Sequence, residues 1–266
     1  MPLTNLFGFV FSIFVMIGLP IIAAIWFKRK FGGRWWGFFA GAITFGLTQL
    51  VFRIPLVGVL QVLVTKAVDL TQPVYLYIWL IFLSYTAGLV EEWGRFGAYK
   101  LLIKDVRDWK GGVLLGLGHG GFESIIAGIS LFSTVVIYYA GQAFFPHTMI
   151  VQQVAVALNG LPFYMTLLGA FERVAAISMH IALSLVVLSA VRSGRTSIVW
   201  VSVMIHGTVN IIAVALNQQV GPVVAEAFML LVLIACIFYI LSRKEDDVTS
   251  EPVAEHEEIQ DDTVQP

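Results

Sequence analysis

The sequence predicts an all-α fold of about seven transmembrane helices in one bundle, and three observations carry that expectation. Apolar residues make up 58% of the chain and charged residues only 12%, for a mean hydropathy of +0.86, which excludes an ordinary soluble domain. The apolar residues gather in runs of roughly 20 or more, the length that crosses a hydrocarbon core as a helix. The cationic residues between those runs fall in alternate connections, as they do in membrane proteins retained in one orientation.

Seven runs can be drawn, at 5–27, 37–63, 74–99, 112–140, 162–191, 197–217 and 220–241. The first is followed directly by Lys28, Arg29 and Lys30, with no basic residue before it and no small-residue cleavage site, which reads as a retained anchor. The second, fourth and fifth exceed a straight span, so tilt or breaks are expected, with Pro55 the break in the second. Lys28, Arg29, Lys30, Arg34, Lys100, Lys104, Arg107, Lys110, Arg192, Arg195, Arg243 and Lys244 lie in one set of connections, and Lys66 alone in the other. This predicts an outside N-terminus and a cytoplasmic C-terminus.

Residues 1–241 form the expected membrane domain. From Ser242 onward the chain carries nine acids and two bases, net −7, and 242–266 is expected to be a disordered cytosolic tail. The single cysteine, Cys236, allows no intrachain disulfide and no cysteine-built metal site.

Only eight acids lie outside the tail, and five of them, Glu91, Glu92, Glu123, Glu172 and Glu226, fall inside apolar runs where charge is costly. His119, His180 and His206 do so too, whereas His147 sits in an outer loop and His256 in the tail. Counting about 1.5 Å per residue from the cationic loops puts Glu92, His119, His206 and His180 about 12, 13, 15 and 18 Å into the bilayer. Independent accidents would scatter in depth. Four helices delivering titratable groups to one layer argue for a single site.

On the third run Gly88, Glu91, Glu92 and Arg95 follow i, i+3, i+4, i+7 spacing and share a face. Arg95 can reach both carboxylates, but one arginine does not balance two glutamates, and neighbouring carboxylates in low dielectric resist joint ionisation. On the fourth, Gly112, Gly116, Gly120, Ser124 and Gly128 recur every four residues, a small-residue stripe that admits a close neighbouring helix. His119 and Glu123 lie beside it, either a structural pair or part of a crevice. The sixth run carries His206 and Asn210 four apart, either helix glue or two N–H donors for an oxyanion. Arg53 and Glu172, towards the outer half, are expected to pair between helices.

EEWGR, HGGFE and HGTVN in this order, with His180 between the last two, resemble the motifs of the type II CAAX-prenyl protease and bacteriocin-processing superfamily of intramembrane endopeptidases, and most closely its YhfC branch, near the PrsW proteases. The resemblance covers residues 88–210. Two departures, the two-residue spacing between Glu92 and Arg95 and Leu115 in place of an aromatic residue, favour the branch over the prenyl protease itself. The resemblance implies Glu91 as general base with Glu92 beside it, His119 activating a water, and His206 with Asn210 stabilising an oxyanion. Arg95, Glu123 and His180 support them. It implies no cofactor, a membrane-embedded or membrane-anchored protein as substrate, the lipid bilayer and no nucleic acid as partners, and a bacterial cell membrane. Water must also reach such a site, so a polar crevice open to the cytosol beside the glycine stripe is expected. Three histidines and a carboxylate are also a sufficient ligand set for zinc, so a metalloprotease built on His119, His180, His206 and Glu91 is the nearest alternative. A non-enzymatic scaffold or chaperone is a second alternative. A proton-coupled transporter fits less well, because no internal inverted repeat is present.

Overall fold

The structure, a computed structural model, describes residues 1–249. It is helical throughout: α1 Leu3–Phe31, α2 Trp35–Phe45, a π-helix Gly46–Arg53, α3 Ile54–Ala67, α4 Pro73–Leu101, α5 Trp109–Phe144, α6 Met149–Asn159, α7 Met165–Ser193, α8 Ser197–Gln219 and α9 Pro222–Thr249. Among the described residues seven spans are long and apolar enough to cross a membrane, one for each expected run, with α2, the π-helix and α3 forming one span. The protein is therefore an all-α polytopic membrane protein. The last helix continues to Thr249, and residues 250–266 of the expected tail lie outside the described residues.

The irregularity in the second span precedes Pro55 rather than falling at it. Proline has no N–H and its ring crowds the carbonyl four residues back, so the turns before it widen into the π-helix while Pro55 itself sits in the first turn of α3. The connection between α5 and α7 holds the short helix α6, which the apolar runs did not foretell. Asp108 caps α5 by accepting from the Gly111 N–H at 2.9 Å, and Gly194 ends α7 at a φ of 71°, a left-handed conformation that glycine adopts without strain.

α7 is the hub, with 72% of its most apolar stretch buried. α5 packs against it along the expected stripe. A Cβ at Gly116 would stand 2.4 Å from Ile181 Cα, and one at Gly120 would stand 2.8 Å from His180 Cβ, so glycine there lets the helices approach to backbone contact. The stripe continues onto α1, where Ser124 Oγ donates to Met16 O at 2.8 Å. On its other side α5 meets α2, with Gly118 against Phe38 O. At the end of the bundle carrying the cationic loops, Phe27, Tyr99, Ile103, Val106, Trp109, Leu114, Leu188 and Val191 form the main apolar core. That core closes the bundle at this end.

Candidate active site

The shared face of α4 is buried, with Glu91, Glu92 and Arg95 turned into the bundle. Gly88 makes room for α8, because a Cβ there would lie 2.9 Å from Val203 O. Glu92 is fully buried and fully engaged: Arg95 Nη1 donates to its Oε1, Ser202 Oγ to its Oε2 at 2.6 Å, and His206 Nδ1 lies 2.8 Å from Oε1. Such a carboxylate positions others. Glu92→Gln takes from Arg95 its nearer counter-charge and leaves only Glu91 at 3.6 Å, and breaking a buried pair costs about 3–5 kcal/mol. We therefore expect Glu92→Gln to lower the melting temperature in detergent more than any other single change in the centre.

Glu91 is held differently. Its Oε1 accepts from Gln49 Nε2 at 2.5 Å, which the wide turns of the π-helix bring inward, and Gln49 Oε1 in turn accepts from Arg53 Nη1 at 3.2 Å. Its Oε2 faces His119 Nε2 at 3.0 Å, Arg95 Nη2 at 3.6 Å, His180 Nδ1 at 3.9 Å and His206 Nε2 at 4.0 Å. Imidazoles from α5, α7 and α8 thus converge on one carboxylate oxygen from α4. The layer expected from helix depth is a real cluster.

Which ring nitrogens carry protons follows from the carboxylates, which accept only. His180 Nε2 lies 2.6 Å from Glu123 Oε2, and Glu123 Oε1 accepts from Arg173 Nη1 at 2.8 Å. His206 Nδ1 is donated to Glu92. Each of these rings therefore presents a lone pair towards Glu91 when neutral, His180 through Nδ1 and His206 through Nε2. In that neutral tautomer His206 turns a lone pair towards Glu91, and only a protonated ring would offer an N–H there. A histidine whose far nitrogen is donated to a carboxylate is the arrangement that orients imidazole as a metal ligand.

Glu91, His119 and His180 each offer a donor atom, all within 4.8 Å of one another. Nitrogens of His119, His180 and His206 also lie within 4.0 Å of one carboxylate oxygen, the donor types and close grouping that a zinc site uses. His119 Nδ1 is buried without a hydrogen-bond partner, so the ring is held by hydrogen bonding only through Nε2 at Glu91 Oε2. Three carboxylates, Glu91, Glu92 and Glu123, face two guanidiniums, Arg95 and Arg173, and Arg173 also binds Glu172. Lone pairs and excess buried negative charge at one point are what a divalent cation satisfies, and the residues fit one.

His119 and Glu123 do not pair with each other, each finding its partner on another helix. Arg53 does not pair with Glu172. It donates instead to Gln49 Oε1, Leu83 O and Thr86 Oγ1, while Glu172 is taken by its neighbour Arg173, so nearer acceptors win on both sides. Gln49 and Ser202 escaped notice in the sequence. Both carried a signal, each being a polar residue in an apolar run four positions before another: Arg53 for Gln49, His206 for Ser202.

A cavity of about 700 Å³ adjoins the cluster, with Glu91, His180, His206 and Asn210 in its wall and Glu92 outside it. From there it runs past Leu83, Ala213 and Arg173 to Leu80, Met165, Asn217 and Pro222. Those last four lie where α4, α7 and α9 begin and α8 ends, at the face opposite the cationic loops. Among the described residues this cavity takes no wall from the cationic-loop end, where the apolar core packs, so it opens in the direction opposite to the expected crevice.

A polytopic bundle with a buried histidine–carboxylate centre beside a cavity of about 700 Å³ is compatible with an intramembrane hydrolase. Residues 15–234 match the model of the family described as YhfC intramembrane metalloprotease, and the chain belongs to that family. A Bacillus subtilis (strain 168) protein described as uncharacterized membrane protein YhfC is 33% identical over 239 residues, covering 85% of this chain and 91% of its own. No solved structure matches. The branch expected from the motifs is borne out, and so is an integral membrane protease family. The family description speaks for the zinc alternative over a centre without a cofactor.

Proposed function

We propose that the protein is a metal-dependent intramembrane endopeptidase that hydrolyses a peptide bond of a membrane-embedded or membrane-anchored protein. The convergence of three imidazole nitrogens on Glu91 Oε2, two of them on rings fixed by Glu92 and Glu123, carries this reading. His119, His180 and His206 would hold the cation. When bound, a zinc-class ion supplies Lewis-acid polarisation of the peptide carbonyl and acidifies a water.

The remaining steps belong to the chain itself. Glu91, tied at Oε1 by Gln49, keeps Oε2 as the general base that takes a proton from water and returns it to the leaving amine nitrogen. Asn210, one helical turn beyond His206 in the cavity wall, donates its amide N–H to the carbonyl oxygen as charge develops there. Burial of the centre keeps these dipoles effective, since little water screens them. One contact favours a metal-free variant with Glu91 and His119 acting alone: Arg95 Nη2 approaches His180 Nδ1 and can fill its lone pair.

The test is comparative proteomics of membranes carrying the intact chain or Glu91→Gln. One membrane protein should be shorter only with the intact chain, and identical length profiles would contradict a peptidase.

We assign the N-terminus to the outside and the cationic loops to the cytoplasm of a bacterial membrane, on charge alone. A cysteine replacing Asp105 should react with an impermeant maleimide only after permeabilisation, and one replacing Gln142 without it. The reverse pattern would invert the chain.

A further inference from the structure

The proposed chemistry leaves open from which side the peptide arrives, and the cavity bears on that directly. Its wall takes nothing from residues 93–121 or 184–205, the segments flanking the cationic loops, and everything from the half of the bundle beyond Glu91. The loop 102–108 seals the other end, with Ile103 and Val106 inserted beside Tyr99, Trp109 and Leu188. Among the described residues the cavity wall includes no member of that core. At the opposite end Asn217 is exposed on the rim. Arg53, Glu172, Arg173 and Glu226 line the way in, a polar wall that water wets. Beside Arg53 and Ile54 the wall passes into α3, none of whose residues is buried, so this flank borders lipid.

The volume limits what can enter. The cavity measures about 700 Å³. An extended stretch of a few residues fits, as a drug-sized ligand fits pockets of about 300–1,000 Å³.

We infer that substrate and water reach the Glu91 centre from the face opposite the cationic loops. The substrate class is then a membrane-attached protein presenting a short extended segment in the outer half of the bilayer, and a segment offered from the cytoplasm is excluded. The substrate half of this inference rests on the peptidase reading. The access route does not, and its test needs no activity.

The experiment uses the full chain in intact cells, with Cys236→Ser removing the native thiol. Ala213→Cys lies in the cavity wall and Asn217→Cys on its rim, and neither residue is placed in the chemistry. Both should react with a small impermeant maleimide added outside, matching Gln142→Cys, while Asp105→Cys reacts only after permeabilisation. A cavity cysteine labelled together with Asp105→Cys, or from neither side, overturns the inference. Asn217→Cys serves if Ala213→Cys fails to accumulate in the membrane. Outside labelling without any shortened protein in the proteomic comparison would leave the route standing and sink the peptidase reading.

Discussion

Glu91→Gln is expected to reduce turnover by about 10²–10⁴-fold, the contribution of a general base, while leaving the bundle assembled. The amide keeps the shape and can still accept from Gln49 Nε2 at its oxygen, so the α4 to π-helix contact survives. What it loses is the acceptor-only oxygen facing His119, His180 and His206. Membrane yield and detergent melting temperature should stay close to the parent, while cleavage of the substrate falls by that factor. Undiminished cleavage would remove Glu91 from the chemistry. Loss of yield alongside activity would reassign it to folding.

The second large effect is structural. Gly118 lies where α5 crosses α2, and a Cβ there would stand 1.9 Å from Phe38 O, a backbone atom with no freedom to rotate away. Gly118→Ala must therefore separate two helices, and overpacking of this kind costs about 1–3 kcal/mol or more. Gly97, also helical, has nothing within 4 Å of its Cβ position, so Gly97→Ala is the control. Gly118→Ala should lose most of its folded protein in detergent while Gly97→Ala keeps it. Equal stability of the two would mean that α2 and α5 do not meet as closely as described.

The seven spans were legible because each is an apolar run of bilayer length, and the shared layer of Glu92, His119, His180 and His206 because helical rise converts sequence position into depth. The glycine stripe on α5 also spoke plainly, since spacing alone puts Gly116 and Gly120 on the side that meets α7. What stayed hidden depends on tertiary partners. The proton on His206 is assigned by Glu92 across a helix gap, so an i, i+4 reading of His206 and Asn210 could not tell a donor from a lone pair. Gln49 reaches Glu91 through a π-helix, which has no sequence signature beyond the proline that follows it. The side on which the cavity opens depends on how loop 102–108 folds back. Charge patterns in a loop do not reveal that Ile103 and Val106 plug the bundle.

Metal content of the purified full-length protein, measured before and after exhaustive chelation and compared with turnover, tests the central claim that these three histidines and Glu91 form a metal-dependent hydrolytic centre. The account predicts one zinc-class ion per chain, absent from a His180→Ala variant of equal yield. It predicts loss of cleavage with the ion and recovery on adding one equivalent back. Chelated protein of verified low metal content that still cleaves at the parent rate near neutral pH would contradict it, and would leave Glu91 and His119 to act on water alone.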